Sequence, residues 1–384
     1  MQAAGLSPAR AKAFEAFAMV GMPHQRMEAW KWTDLRAALR DELPSSAGND
    51  VITPSIFANV GPFEITVMNG AAEWRAAPAG IAIKKADTPL SALAADHPLA
   101  NLCAAFARET LAIDIVGAVT QPILIRRIAG AGSVHARARI SLAAGADATV
   151  IESFDGAGDC FSNSVTEFSL GDGAKLHRIV LQNAGEAGVE TALATATLAK
   201  GAVFDQTALI FGGKAVRIET RITHAGEGAR AMLKSASALC ASRHADVTSL
   251  VRHEARGCET RQTHKAALRD KSHGVFQGKF HVARGAQRTD AEMRAGALLL
   301  SELAEADSKP ELEIYADDVK CSHGSTAGAL DENAIFYMRQ RGLSESAARA
   351  FLIEAFLGEV FDGAPHANLE HVMRARLSRW LEAS

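Results

Sequence analysis

The residues with the clearest capacity for chemistry lie near the C-terminal end of the chain, in the run Tyr315–Gly324. A thiol at Cys321 and an imidazole at His323 are separated by one residue. If this run is an extended strand, both side chains point to the same side, about 6 to 7 Å apart, and Asp317 shares that side. Thiolate and imidazole are good ligands for iron or zinc, but two or three ligands seldom complete a stable site. A metal bound here would therefore need a second chain or a transient substrate to complete its coordination.

The same residues also have a purely structural interpretation. A single cysteine is usually a small buried hydrophobic residue, and a histidine at a strand end can simply bind backbone groups. Ligation and packing therefore both stay open from chemistry alone. Further histidines on separate repeats could form a polar stripe, although scattered surface positions are the simpler expectation; they are His244, His253, His264, His273 and His281.

Composition and missing motifs narrow the classes of function. The formal charge of −3 argues against a general nucleic-acid-binding protein, which would present a strongly basic face. The chain contains no P-loop, no His-Glu-x-x-His or Gly-x-Ser-x-Gly motif, and no hexapeptide acyltransferase period. Five widely spaced cysteines without a Cys-x-x-Cys pair predict a reduced, cytoplasmic protein. No apolar run is long enough to span a membrane, and residues 1–20 predict an amphipathic helix, not a signal peptide.

A dipeptide repeat precedes this polar cluster in the sequence. Gly-Ala, replaced once by Gly-Cys, recurs at spacings of 28, 28, 28, 27, 29 and 28 residues. In most repeats, alternating segments on both sides of the glycine predict a strand, a tight turn and a second strand. The glycine supplies a backbone conformation that other residues resist. The seven glycines are Gly117, Gly145, Gly173, Gly201, Gly228, Gly257 and Gly285.

A fixed period with one strand-turn-strand unit per repeat predicts the stacked coils of a β-solenoid. Stacking pairs each strand with the equivalent strands above and below it, which buries the inward face. An antiparallel sandwich of regular hairpins is also compatible with the local pattern. The constant period favours the solenoid, because loop lengths in sandwiches vary.

The segments on either side of the repeats have a different pattern. We predict a mainly helical N-terminal domain over residues 1–110, the solenoid over 111–328, and a C-terminal helical domain over 329–384. The N-terminal helical pattern covers about residues 1–45, and two later segments, 62–67 and 80–84, look extended. In the C-terminal domain, Phe351, Phe356 and Phe361 either pack the helices together and onto the solenoid or form a partner-binding surface.

Three stretches of the chain resemble the SufB/SufD family of iron–sulfur cluster assembly proteins, and within it the SufD branch. The first is Glu28-Ala-Trp-Lys-Trp-Thr-Asp-Leu35, and the second is Gly285-Ala-Gln-Arg-Thr-Asp-Ala291. The third is the long run Glu311-Leu-Glu-Ile-Tyr-Ala-Asp-Asp-Val-Lys-Cys-Ser-His-Gly-Ser-Thr326, followed by Phe336-Tyr-Met-Arg-Gln-Arg-Gly342. The resemblance touches both ends of the chain and is strongest over about residues 275–360.

The resemblance implies a mainly β fold, a right-handed parallel β-helix flanked by N-terminal and C-terminal helical domains. It also implies a non-catalytic scaffold that pairs with a SufB-like sister subunit through the edge of the β-helix. A SufC-like ABC ATPase would bind the C-terminal helical domain, and sulfur would come from a cysteine desulfurase. ATP would be bound only by the ATPase subunit, and no cofactor would be bound tightly.

Several residues acquire expected roles from this resemblance. The histidine matching His323 lies at the interface in the family and is implicated in cluster assembly, so His323 and the adjacent Cys321 are candidate ligands of transient iron or a nascent Fe–S cluster. The main sulfur-accepting cysteine is expected on the sister subunit. The candidate partner-binding residues of the C-terminal helices are Phe336, Tyr337, Arg341, Phe351 and Phe356.

Two other functions stay open at this point. A carbohydrate-active solenoid enzyme would need charged residues converging on one face of neighbouring coils, and a purely structural subunit would need no ligand at all. The involvement of a flavin, the stoichiometry of the complex and homodimerisation of the isolated chain are also open.

Overall fold

The computed structural model describes residues 6–40, 54–86, 88–130, 132–156, 160–363 and 367–382. The helical pattern expected at residues 1–5 and 41–45 lies outside this part of the chain. The described residues form two long β-sheets with helices at both ends.

Successive strands alternate between the two sheets, so that two strands make one coil. In order from the N-terminal edge, sheet A contains β2 (Ala71–Trp74), β1 (Phe63–Met68), β5 (Ala118–Ala129), β7 (Asp147–Gly156), β9 (Lys175–Asn183), β11 (Val203–Ile210), β13 (Arg230–Leu239), β15 (Glu259–Leu268), β17 (Asp290–Leu299) and β19 (Lys320–Gly328). Sheet B contains β3 (Ile81–Ala86), β4 (Thr110–Ile115), β6 (Gly132–Leu142), β8 (Cys160–Leu170), β10 (Val189–Leu198), β12 (Ala215–His224), β14 (His244–His253), β16 (His273–Val282) and β18 (Glu305–Ile314).

From β4 onward the strands within each sheet pair in parallel. The register repeats from coil to coil; for example, Val203 lies opposite Lys175 on one side and Arg230 on the other. The predicted parallel solenoid is therefore confirmed, and the antiparallel sandwich is wrong. Among the named strands, antiparallel pairing is confined to β1 with β2 and β3 with β4, at the N-terminal end.

The turns follow the repeat, with one exception. Six of the seven repeat glycines adopt the left-handed conformation, from Gly117 with a φ of 70° to Gly257 with a φ of 66°. The seventh, Gly285, does not; Arg288 takes the left-handed conformation instead, with a φ of 61°. The N–H of Arg288 also continues the ladder of hydrogen bonds that the earlier glycines make to the next turn. The last turn therefore follows a longer path than the dipeptide predicted.

The solenoid interior contains a buried ionic group as well as apolar side chains. Glu152 has no exposed surface and accepts hydrogen bonds from Arg127, Arg178 and Thr166. Burial alone would raise the pKa of Glu152, but the two guanidinium groups outweigh it and hold the pKa at about 2. Because the charges compensate each other, the ion pair is tolerated inside the coils.

The segment before residue 111 contains helices and strands. Its helices are α1 (Pro8–Val20), α2 (Leu35–Ala38), α3 (Ala92–Ala95) and α4 (Pro98–Phe106). Strand β1 pairs with β5 and β3 with β4, which confirms the extended pattern at residues 62–67 and 80–84. Both extended segments expected within residues 1–110 are therefore strands, and they satisfy backbone groups at the first coil. The domain boundaries themselves stay predictions.

A short segment between α1 and α2 lies across the outer face of sheet B, and we call Glu28–Thr33 the strap. Trp30 is buried, with the guanidinium of Arg217 on β12 at 4.1 Å from its ring centre. Glu28 forms an ion pair of 2.5 Å with Lys309 on β18, the edge strand of sheet B. The strap therefore connects the middle of sheet B to its C-terminal edge.

The C-terminal helices are α5 (Glu332–Gln340), α6 (Glu345–Gly358) and α7 (Ala367–Glu382). The side chains of Asp331 and Ser344 accept hydrogen bonds from backbone N–H groups at the starts of α5 and α6. Helix α6 packs on β13 and β15, which places the helices against sheet A. Within the described part of the chain, no helix is long and apolar enough to cross a membrane.

Candidate functional site at the open end of the solenoid

Cys321 and His323 lie on β19, the last strand of sheet A. In the pairing of β19 with β17, Cys321 is opposite Ala291 and His323 is opposite Met293. Ala291 and Met293 are buried in the solenoid core, so Cys321 and His323 also face the interior, on one face as the alternation predicted. In the described residues no further strand pairs beyond β19, and His323 is exposed while Cys321 is half-buried. The two side chains therefore line the open end of the solenoid.

The surroundings of Cys321 keep its thiol protonated. Burial raises the pKa of Cys321; a backbone hydrogen bond at Ala291 opposes this, and the carboxylate of Asp290 adds to it. Because the ligating species is the thiolate, a metal would have to release this proton on binding. Asp317 was expected on the same strand face, but it lies in the connection before β19 begins at Lys320.

The candidate ligand set is incomplete among the described residues. Across the residues that the structure describes, no group of three or more His, Cys, Asp and Glu side chains is arranged to hold a metal. Ligation by Cys321 and His323 stays a prediction, and it requires further ligands.

The same end of the solenoid exposes the edges of both sheets. Strand β19 and sheet B strand β18 are the terminal strands, and residues 322–329 are exposed throughout. Large apolar side chains are also exposed beside β18, with Leu303 at 61% and Tyr315 at 60%. Unpaired edges and exposed apolar side chains favour association with another chain. We therefore regard this end as a candidate interaction surface.

Four of the five predicted partner-binding residues are exposed on the C-terminal helices. Phe336 is 64% exposed and Phe351 is 56% exposed. Arg341 donates a hydrogen bond of 2.6 Å to the hydroxyl of Tyr337, and its guanidinium lies 4.9 Å from that ring centre. These side chains are accessible to a partner, and binding stays a prediction.

Phe356 and Phe361 are used differently. The ring of Phe356 lies against β17, where a Cβ added to Gly296 would be 3.2 Å from a ring carbon. The Lys265 ammonium lies 4.6 Å from the same ring centre, and Phe361 is buried. The packing alternative therefore describes these two residues, whereas Phe351 remains available for a partner.

Two of the five histidines singled out from the sequence, His253 and His264, are buried, so the expectation of surface positions is wrong for them. The other three, His244, His273 and His281, are half-buried. His224 and His253 are buried and stacked, with ring centres 4.5 Å apart. His264 is buried and stacked on Phe276 at 5.1 Å. The signal that could have revealed this is the separation of His224 and His253 in the sequence, which equals one coil.

The sequence was then compared with known families and proteins. The family model described as "SUF system FeS cluster assembly, SufBD core domain" matches residues 126–356, which run from within β5 to within α6. The chain belongs to the SufBD family. It is similar to the iron-sulfur cluster assembly protein SufD of Escherichia coli, with 29% identity over 98% of this chain and 93% of that protein.

Two further relatives carry the same family name. An iron-sulfur cluster assembly SufBD family protein of Synechocystis is 34% identical over 57% of this chain and 48% of its own length. One of Mycobacterium bovis is 28% identical over 88% of this chain and 84% of its own. The SufBD core domain includes β18, β19 and the exposed residues of α5 and α6, whereas the strap precedes it.

Proposed function

We propose that this SufBD-family chain is a non-catalytic, cytoplasmic scaffold subunit of an iron–sulfur cluster assembly complex. Its open end pairs with a SufB-like sister subunit of the same family. The observation that carries this proposal is that Cys321 and His323 share one end of the solenoid with the unpaired strand edges. A subunit that pairs there would approach both side chains directly.

The incomplete ligand set fits transient cargo better than a resident metal. Cys321 and His323 supply one thiol and one imidazole, and the sister subunit supplies the remaining ligands and the main sulfur-accepting cysteine. A cysteine desulfurase provides the sulfur. Because burial raises the pKa of the Cys321 thiol, that thiol releases a proton when it ligates iron.

The exposed residues of α5 and α6 form the second contact in this proposal, with a SufC-like ABC ATPase. Phe336, Tyr337, Arg341 and Phe351 bind the ATPase, which alone binds ATP. Movement of the ATPase displaces α6, whose Phe356 packs on β17, the strand next to β19. ATP hydrolysis is thereby coupled to the end of the solenoid that holds Cys321 and His323.

The proposal is tested with the reconstituted complex of this chain, a SufB-like sister subunit and the ATPase. We expect the three to co-purify, and we expect His323→Ala and Cys321→Ala to reduce cluster formation, followed by absorbance, at least about fivefold with the complex intact by size-exclusion chromatography. His371→Ala, at an exposed position on α7, is the matched control. Full cluster formation by the Cys321→Ala/His323→Ala double variant would leave the chain a purely structural role. Failure of the wild-type chains to associate would reject the scaffold proposal itself.

A further inference from the structure

Arginine side chains gather where α7 docks on the outer face of sheet A. Arg376 lies on α7, and its guanidinium carbon is 3.7 Å from the ring centre of Phe211, the residue after β11. Arg243 lies in the turn after β13 and donates a hydrogen bond of 3.3 Å to the backbone carbonyl of the same Phe211. The two guanidinium groups therefore meet at one residue, one at its ring and one at its backbone.

Arg269 lies beside Arg243, in the turn after β15. Its N–H donates to the carbonyl of Leu239 and so continues the pairing of β15 with β13. Arg269 is therefore the neighbour of Cys240, and the Cys240 carbonyl accepts a hydrogen bond from the N–H of Arg243. The half-buried Cys240 thus lies next to both arginines.

Helix α7 brings its own arginine to the same place. Trp380 follows Arg376 by four residues, about one helical turn. The Arg269 guanidinium lies 3.7 Å from the ring centre of Trp380 and donates a hydrogen bond of 2.8 Å to its backbone carbonyl. Cys240 packs against the apolar cluster that includes Trp380. Arginines from one helix and two turns therefore surround a single thiol.

In the described part of the chain, these three guanidinium groups donate only to neutral oxygen atoms. Arg243 and Arg269 donate to backbone carbonyls. Arg376 donates to the side-chain oxygen of Asn183 at 2.6 Å. The charges also repel each other: burial lowers the pKa of Arg376, and the charges of Arg379 and Arg243 lower it further. Half-buried cations that lack a counter-ion are unfavourable, and an anion would neutralise them.

Two buried donors in the cluster also lack an acceptor among the described residues. They are the Nε–H of Arg269 and the indole N–H of Trp380, a residue that is 6% exposed. Buried donors normally find an acceptor, because an unpaired one costs free energy. The carboxylate of Asp270, which acts on Arg269, is exposed and accepts the backbone N–H of Ala241. An anion with several acceptor oxygens would satisfy such donors, directly or through a water molecule.

We propose that Arg243, Arg269 and Arg376 bind a tetrahedral oxyanion of the phosphate class at the junction of α7 and sheet A. Guanidinium groups match the oxygens of phosphate with paired hydrogen bonds, which suits arginine to this anion. The bound anion bridges α7 to the turns after β13 and β15, so it strengthens the docking of the C-terminal helices on the solenoid. The site does not depend on the association with other subunits proposed above.

The first test is calorimetric titration of the whole chain with inorganic phosphate at constant ionic strength, with chloride as the background anion. We expect saturable binding with a dissociation constant of about 1 mM or tighter, and at least about tenfold weaker binding by Arg376→Gln. Arg374→Gln is the matched control, because Arg374 is on the same helix but pairs with Asp362 and Glu370. It should change binding less than about twofold. Equal weakening by both variants, or no saturable binding by the wild-type chain, would overturn the inference.

A parallel titration with adenosine monophosphate distinguishes two sources of the anion. Binding at least about tenfold tighter than that of free phosphate assigns the site to a phosphate group carried by a larger molecule. Equal or weaker binding assigns it to the free anion. Either result supports an oxyanion site at the three arginines.

Alkylation of Cys240 in the wild-type chain gives an answer even if a variant does not fold. Iodoacetate is negatively charged and iodoacetamide is neutral, so nearby guanidinium groups should favour iodoacetate. We expect the ratio of the two rates, followed by mass spectrometry, to be at least about threefold higher at Cys240 than at Cys321. Cys321 is the internal control, since it is also half-buried but lies near the carboxylate of Asp290.

Phosphate should compete with iodoacetate at this site. At constant ionic strength it should slow the reaction of Cys240 at least about twofold and leave that of Cys321 unchanged. Equal rate ratios at the two cysteines, or no effect of phosphate at Cys240, would overturn the inference.

Discussion

The guanidinium of Arg217 lies 4.1 Å from the centre of the Trp30 ring, which shields it from solvent. Arg217 also donates a hydrogen bond of 2.8 Å to the carboxylate of Asp246. The hydroxyl of Thr33 donates to the same carboxylate at 2.7 Å. The strap thus covers an ion pair on the outer face of sheet B and satisfies part of it.

Removing the strap's tryptophan should therefore destabilise the whole fold. Trp30→Ala leaves a cavity above Arg217 and admits water to its ion pair, so we predict a loss of about 3–5 kcal/mol in the free energy of unfolding, measured with urea. Trp32→Ala is the control, because Trp32 is only half-buried and should cost less than about 1.5 kcal/mol. Equal losses for the two variants would contradict a specific role for Trp30.

Phe351 and Phe356 should separate partner binding from folding. Phe351→Ala removes an exposed ring, so we predict unchanged thermal stability and at least about tenfold weaker binding of the ATPase subunit. Phe356→Ala removes a ring packed against β17 and should cost about 2–4 kcal/mol in the free energy of unfolding. Calorimetry of folding and of binding on both variants checks the pair. A stability loss at Phe351 with intact binding would remove that residue from the proposed surface.

The repeat predicted the solenoid because its cause is local: one glycine conformation per coil and alternation along each strand. The same alternation placed Cys321 and His323 on one face. From the sequence, the strap was recognised only as part of a stretch that resembles the SufB/SufD family. Its packing was not predicted, because the contact of Trp30 with Arg217 joins distant parts of the chain. The prediction of a left-handed glycine was wrong at Gly285, because the turn is longer there and Arg288 takes the left-handed conformation.

Other features of the site depend on strand register and helix docking, which only the structure supplies. The burial of the histidines depends on which strand face each one occupies. Phe351 and Phe356 have similar sequence neighbours, but they are five residues apart and so lie on different faces of α6. Which of these faces is buried depends on how α6 docks on sheet A.

Shielded histidines should make the fold sensitive to acid. Burial lowers the pKa of His135, His244, His253 and His264 from 6.5 to about 4. As the pH falls, the unfolded chain therefore binds these protons before the folded chain does. The contribution of the neutral histidines to the free energy of unfolding is fully present above pH 6.5 and is lost as the pH falls towards 4. We predict a decline of at most about 1.4 kcal/mol per pH unit for each such histidine in the free energy of unfolding.

One substitution tests this assignment. His264→Gln should flatten the dependence of the urea unfolding free energy on pH between 6.5 and 4 by the contribution of one proton. His371→Gln, on the exposed side of α7, is the matched control and should leave the slope unchanged. If both variants keep the wild-type slope, the acid sensitivity arises elsewhere.

Glu190 should make the fold less stable at alkaline pH, in contrast to the buried histidines, which do so at acid pH. It is 3% exposed, one of its carboxyl oxygens has no hydrogen-bond partner, and burial with help from Asp155 raises its pKa from 4.5 to about 8. Between pH 4.5 and 8 the folded chain holds this proton and the unfolded chain releases it. The contribution of Glu190 to the free energy of unfolding is therefore fully present below pH 4.5 and is lost as the pH rises through 8. We predict that Glu190→Gln raises the free energy of unfolding at pH 8 by about 1–3 kcal/mol and changes it little at pH 4.5. Denaturation at both pH values checks this, and a loss at pH 8 would contradict it.

Repeat proteins lengthen and shorten during evolution by duplicating or deleting whole units, because each unit contacts only its neighbours. The strap restricts that freedom here, since Trp30 is fixed on β12 and Glu28 on β18. One extra coil between these strands would separate the two anchors by about 4.8 Å more, and one coil fewer would bring them too close. The strap thus constrains how many coils separate the middle of the molecule from its open end.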